Sequence, residues 1–173
     1  MKILILGAGR VGSSLASTLS KQQYEVSIVD LNKDRLQRLQ EDLDLATEVG
    51  HVSYPSTLKK VGADEETILL AVTNSDECNI TSCQIAKSKF NVKKTICRLS
   101  DASYLDSLNA FGENNIDIAI SPENEVTEHL VDLIKHPGAE QIESFANGSI
   151  KVVSVKAKKA VSYTHLTLPT TWL

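Results

Sequence analysis

The sequence predicts an α/β protein: a doubly wound parallel sheet of six strands, followed by the start of a small C-terminal β-rich domain. Three observations predict it. Short apolar runs alternate with segments of helical periodicity through the first 136 residues. The fourth run, Ile68-Leu69-Leu70-Ala71-Val72, is apolar without alternation, as a strand covered on both faces must be. After Gly138 the alternation stops and a hairpin pattern replaces it. Strand-helix-strand crossovers bury both faces of a parallel sheet, so this order of elements closes most economically as two helical layers around one sheet. With 42% hydrophobic residues in 173, the chain can bury the core of one domain and carry a short extra piece.

In order, the first strand is Lys2 to Leu6, and the helix that the glycines open presents Val11, Leu15 and Leu19 on one face. The second strand runs from Val26 to Asp30. Asn32 is the candidate cap of a helix from about Lys33 to Asp42, with Leu36, Leu39 and Leu43 as its apolar face. A third strand, Leu45 to Val49, precedes a short helix with Pro55 near its start and Gly62 just past its end. Strand four is Thr67 to Thr73. Ser75 or Asp76 caps the next helix, whose Ile80, Cys83, Ala86 and Phe90 fall at helical spacing. Strand five is Thr95 to Leu99, and a helix from Ala102 to Phe111 closes at Gly112. Strand six, Ile116 to Ile120, leads through Ser121-Pro122 into a helix carrying Val126, Leu130 and Leu133, which stops at His136-Pro137-Gly138. Gln141 to Phe145 and Ile150 to Ala157 then read as two strands joined near Asn147-Gly148.

The first thirty residues carry the chemistry. Gly7-Ala8-Gly9-Arg10-Val11-Gly12 follows a strand and opens a helix, and the following strand ends on Asp30. Gly7 serves the tight turn, Gly9 lets a pyrophosphate approach the backbone, and Gly12 lets the helix pack close to the sheet, which makes the sheet Rossmann-like. The helix start offers unpaired N–H groups and about half a positive charge to a phosphate. Asp30 is placed to accept hydrogen bonds from an adenosine ribose. Its charge opposes a 2′-phosphate, and Leu31 rather than arginine follows it, so NAD or NADH is expected over NADP; ATP, ADP and AMP present the same ribose. Arg10 is a cation at the positive end of a helix. It reads either as a phosphate partner, on this molecule or a neighbouring one, or as a solvated side chain.

Ligands of such sheets lie beyond the carboxyl ends of the strands, so His51, Thr73, Asn74, Arg98 and Ser121 are the other residues to inspect. Thr73 and Asn74 suit ribose or phosphate, or form a turn into the next helix. Arg98 suits phosphate, or a surface ion pair. His51 touches adenine or finishes a turn, and no second residue at suitable spacing makes it a metal ligand. Glu123 is explained by its place in the first turn of a helix. A mixed net charge of −4 offers no basic face for nucleic acid. No apolar run approaches the roughly eighteen residues of a membrane span, and no signal peptide precedes the first strand, so the expectation is a soluble, cytosolic protein. Cys78, Cys83 and Cys97 are odd in number and lack a C-x-x-C pair, which argues against disulfides and zinc and for small core residues.

The glycine loop, Val29-Asp30, Gly50-His51, Gly62-Ala63-Asp64, Ala71-Val72-Thr73-Asn74-Ser75-Asp76-Glu77, the Arg98 strand, Ser121-Pro122-Glu123 and His136-Pro137-Gly138 together resemble the TrkA family of bacterial Trk potassium uptake systems, relatives of the RCK/KTN domains of potassium channels. The resemblance runs from Met1 to about Lys158. It implies a non-enzymatic regulatory subunit, peripheral on the cytoplasmic face of the cell membrane. Its implied partners are a membrane-embedded Trk potassium transporter subunit and itself, as a dimer or ring. By position it implies nucleotide contacts at Gly7, Ala8, Gly9, Arg10, Val11, Asp30, Thr73, Asn74 and Arg98, and in a related domain a cation near the place of Glu123. The domains expected are 1–136, an RCK N-terminal nucleotide-binding domain; 137–160, a linker and hairpin opening a truncated RCK C-terminal domain; and 161–173, a threonine-rich tail of non-native character. The alternative from another class is an NAD-dependent dehydrogenase lacking its substrate domain. No His, Lys or Tyr stands in an identifiable catalytic pair to support it.

Overall fold

The computed structural model describes residues 1–101, 103–110, 116–145 and 150–156. Six strands form one parallel sheet: β1 (Lys2–Leu6), β2 (Glu25–Asp30), β3 (Ala46–Val49), β4 (Thr67–Ala71), β5 (Lys94–Arg98) and β6 (Ile118–Ile120). Between them run α1 (Arg10–Lys21), α2 (Lys33–Asp42), α3 (Pro55–Lys60), α4 (Asp76–Phe90) and α5 (Ser103–Ala110), and α6 (Pro122–Lys135) follows β6. The spatial order is β3-β2-β1-β4-β5-β6, which is the Rossmann order, so the predicted fold class is the observed one. The order reverses between β1 and β4.

β1 shows why the sheet is covered on both sides. Ile3 and Ile5 belong to one core with Ala16 of α1, Ile28 of β2 and Leu36 of α2. Leu4 and Leu6 point the other way, into a core with Leu58 of α3, Leu69 of β4 and Cys83 and Ala86 of α4. These four of the five β1 side chains are at most 3% exposed, so each contributes about 1.5 to 3 kcal/mol by leaving water. Successive side chains of a strand alternate faces, and a strand apolar at every position must therefore sit between two layers. Register aligns Leu6 with Val29 on one side and with Ala71 on the other. The residues that follow, Gly7, Asp30 and Val72-Thr73, consequently share one rim of the sheet.

The caps follow the residues expected for them. Asn32 accepts the amide of Arg35 at the start of α2, and Ser75, rather than Asp76, accepts the amide of Cys78 at the start of α4. Pro55 occupies the first turn of α3, and Gly62 follows its end at φ +71°. Several expectations need correction. β6 begins at Ile118 rather than Ile116. β4 ends at Ala71, because Thr73 bonds sideways to α4 instead of continuing the ladder. The buried residues of α1 are Gly12 and Ala16, with Leu15 and Leu19 beside them, while Val11 is 42% exposed and faces the rim. Val126 and Leu130 of α6 are exposed at 58% and 53%.

The chain divides into two compact units, Met1–Glu125 and the residues from Val126 on. Within the second, β7 (Ala139–Phe145) pairs antiparallel with β8 (Ile150–Val155), and Lys151 forms an ion pair with Asp132. The expected helix bounds at Ala102 and Phe111-Gly112, the Asn147-Gly148 turn and the tail from residue 161 lie outside the described residues.

Candidate functional site

A hollow of about 410 Å³ opens at the rim where the strand order reverses. That volume falls in the range of pre-formed small-molecule clefts, about 300 to 1,000 Å³. Gly7, Gly9, Arg10 and Val11 line it from the loop between β1 and α1, and Asp30 from the end of β2. Thr73 and Asn74 line it from the end of β4, and Arg98 from the end of β5. The sequence reading therefore brought together residues from four strand ends.

The glycine loop is shaped by what a side chain would strike. Gly7 has φ +104°, and a Cβ there would lie 3.0 Å from the backbone of Thr73. A Cβ on Gly12 would sit 1.8 Å from the carbonyl oxygen of Gly7, so only glycine lets α1 start this close to β1. A Cβ on Gly9 would meet nothing within 4 Å; the loop is open toward the hollow there. No side chain caps α1, in contrast to α2 and α4. Its first amides are left for water or an anion, and a phosphate group fits that donor set. Arg10, the first residue of α1, is exposed at the mouth of the hollow.

Asp30 acts first within the protein. Its Oδ2 accepts the amide of Ala8 in the glycine loop at 2.6 Å, and its Oδ1 accepts the amide of Asn32 at 2.7 Å. Each carboxylate oxygen keeps a second lone pair, so ribose hydroxyls can still be accepted. The carboxylate thus ties the loop that would hold phosphate to the strand that would hold ribose.

On the opposite wall the organising residue is Asn79, which the sequence reading missed. It is fully buried in α4, and all four of its hydrogen-bonding positions are used. Its Oδ1 accepts the Thr73 amide at 2.9 Å and the Thr73 hydroxyl at 2.7 Å. Its Nδ2 donates to the carbonyls of Thr73 at 3.2 Å and Arg98 at 2.9 Å. Thr73 spends its hydroxyl in this knot, so its expected role as a turn into the helix is met directly. The signal was present: Asn79 lies four residues before Cys83 and seven before Ala86, on the buried face of α4. Asp76 is a second such residue; its carboxylate accepts the amides of Ser100 and Asp101, each at 2.9 Å, and fixes the loop after β5.

Arg98 forms the ion pair that was one of the two readings offered for it, and it also borders the hollow. Its Nη1 donates to the Thr73 carbonyl at 3.2 Å, its Nη2 pairs with Glu123 in the first turn of α6, and it lines the hollow. Its Nε and the hydroxyl of Ser121 are buried with no hydrogen-bond partner. A hydrogen bond from its own backbone amide and then the Arg98 guanidinium hold the Glu123 carboxyl below its ordinary range.

A smaller hollow of about 150 Å³ adjoins on the β2-β3 side, where His51, Val52 and Cys78 join Asp30 and Asn74. The His51 ring stacks on Tyr54 at 4.6 Å between centroids, and its Nδ1 lies 2.8 Å from the Ser53 hydroxyl. It both finishes its turn and faces the hollow. Cys83 and Cys97 are buried, as expected of core residues, and Cys78 is half-buried. Arg35, also unforeseen, lines both hollows from the first turn of α2. Among the described residues no cluster of His, Cys, Asp and Glu is arranged to hold a metal, and no helix is long and apolar enough to cross a membrane.

Residues 3–122 match the family model of the TrkA-N domain. The chain belongs to the TrkA-N domain family. It is 42% identical over 159 residues to the Trk system potassium uptake protein TrkA of Halomonas elongata, across 91% of this chain and 35% of that protein. This TrkA-N chain spans about a third of the length of the curated relatives it matches. In fold it is similar to the GsuK channel bound to NAD, with a TM-score of 0.65 and 16% identity over 84% of this chain and 25% of that one. It is likewise similar to GsuK bound to ADP, with a TM-score of 0.63 and 22% identity over 78% of this chain and 34% of that one.

Proposed function

We propose that this TrkA-N domain binds an adenine nucleotide, NAD or NADH, ATP or ADP, in the hollow at the β1-β4 reversal and acts as the nucleotide-sensing part of a regulator of potassium uptake. The observation that carries the reading is the placement of an uncapped helix start, open at Gly9, between Asp30 and Arg98 on one rim. Adenine occupies the smaller hollow beside His51, the ribose hydroxyls meet Asp30, and the phosphates lie on the α1 amides with Arg10 near them. The names of the TrkA relatives support potassium uptake as the setting, and the NAD and ADP of the GsuK structures support the ligand class. The domain works with a membrane-embedded Trk-type transporter subunit and with further copies of itself, peripheral on the cytoplasmic face. The energy for regulation comes from unequal affinity of the nucleotide for two conformations.

The domain acts without catalysing a reaction. A dehydrogenase needs a group that gives or takes a proton near the nicotinamide, and the larger hollow is lined by guanidinium groups, one carboxylate, one amide and a hydroxyl already bonded to Asn79. Calorimetric titration with NAD, NADH, ATP, ADP and AMP tests the reading, with saturable binding of at least one expected. Failure of all five to bind would overturn it, and NADH oxidation in the presence of a small hydroxy or keto acid would replace it with the enzyme. Nucleotide-dependent retention of the transporter subunit on immobilised protein tests the partner.

A further inference from the structure

We propose that Glu123 is a built-in competitor for the hollow's distal cation, Arg98, and thereby sets how strongly the site favours a dinucleotide over a nucleoside polyphosphate. The inference rests on the nucleotide reading above and concerns the regulation of that same site.

Strand order fixes the direction in which a ligand lies. Asp30 and His51 stand on the β2-β3 side, the glycine loop follows β1, and Arg98 stands beyond β4 at the end of β5. A nucleotide with its adenosine on the β2-β3 side and its first phosphates on α1 therefore directs its far end toward Arg98. For ADP and ATP that end is a phosphate group. For NADH it is an uncharged nicotinamide riboside, and AMP ends before it.

The guanidinium that would receive a terminal phosphate is already shared. One of its nitrogens pairs with Glu123, and another is held by the Thr73 carbonyl, which Asn79 fixes in place. Its Nε is buried without a partner, so the group has a donor in reserve but a committed charge. A phosphate can gain the full attraction of Arg98 only by displacing the Glu123 carboxylate or by accepting its negative charge as a neighbour. An uncharged far end leaves the pair undisturbed. Glu123 is 51% exposed in its side chain, so it can release the guanidinium into water without a large desolvation cost.

The test is calorimetry on the chain and on Glu123→Gln, which keeps the shape and removes the charge, with ATP, ADP, AMP and NADH as ligands. ATP and ADP are expected to bind about two- to fivefold more tightly to the variant, the range of a partly exposed ion pair, while AMP and NADH change less than ATP does. In an Arg98→Gln background the same substitution is expected to give no gain for ATP. Weaker ATP binding in Glu123→Gln, as a cation bridged by Glu123 to phosphate would give, overturns the proposal. So does an equal shift for all four ligands, or a gain that survives removal of Arg98. If the unsubstituted chain binds none of them, the nucleotide reading fails as well. If it binds them and the variant leaves the ATP-to-NADH ratio unchanged, only the role of Glu123 fails.

Discussion

Asp30 illustrates how a single side chain carries two levels of organisation. Its carboxylate holds the amides of Ala8 and Asn32 before any ligand arrives. Replacing Asp30 with Ala is therefore expected to weaken NAD and ATP together, since both present the same ribose, and also to lower stability by about 2 kcal/mol through the lost charge-assisted bonds. Parallel calorimetry and urea denaturation would check both effects, and loss of one nucleotide with retention of the other would count against the shared ribose contact. At Gly12 an added methyl would fall on the Gly7 carbonyl oxygen. Gly12→Ala should cost about 2 kcal/mol or more and abolish nucleotide binding, read from the denaturation midpoint and the same titrations. These residues were legible in the sequence because their work is local: a glycine turn, a helix start and a strand end recur at fixed offsets. Arg35 and Asn79 were not, because the hollow that Arg35 borders and the groups that Asn79 bonds come from other parts of the chain. No spacing shows that an asparagine in α4 will meet the end of β4, although a polar residue on an apolar face signals that it must meet something.

At the level of elements, the alternation of strands and helices was readable throughout the described part of the sheet, and the Asn32 and Ser75 caps sit where the residue types place them. Boundaries were less so. β4 reads as continuing to Thr73 because Val72 and Thr73 favour strands, yet the strand ends at Ala71: the Val72 amide still donates to the Leu6 carbonyl, and Thr73 then bonds with α4. Apolar spacing also placed Val11 in the core of α1, whereas steric closeness at Gly12 turns the helix so that Gly12 and Ala16 face the sheet. α4 is the element through which two walls of the hollow are joined, and Asn79→Leu tests it. The substitution leaves the Thr73 amide and the Arg98 carbonyl without their partner in a buried place and takes from the Thr73 hydroxyl the nearer of its two acceptors. A loss of about 2 to 4 kcal/mol is expected, measured by urea denaturation. A loss below about 0.5 kcal/mol would show that the knot is dispensable.

For the molecule as a whole, acid should act through carboxylates held below their ordinary range. Burial raises Asp117, but this is more than offset by Lys87 and by the Thr95 amide and hydroxyl; Asp64 is lowered by the Thr67 hydroxyl and then by Lys2. A carboxyl depressed on folding adds stability above its unfolded value, 3.8 for both, and that stability is lost as pH falls through the lower folded value. The urea midpoint is thus expected to hold from pH 7 to about 5 and to fall below about 4, and a midpoint that rises on acidification would contradict these pairings. The Asp117 pairing also shows what the sequence concealed: Lys87 lies thirty residues earlier, and only the neighbouring of β5 and β6 brings the two together.

Three guanidinium groups, Arg10, Arg35 and Arg98, border a single cavity in a molecule whose overall charge is −4. Against the carboxylates of Asp30 and of Glu123, which pairs with Arg98, they leave an excess of positive charge that attracts any small multivalent oxyanion. Sulfate, citrate or inorganic phosphate in a buffer will therefore act as a weak antagonist of every nucleotide, and affinities measured in such media will understate those found in dilute chloride.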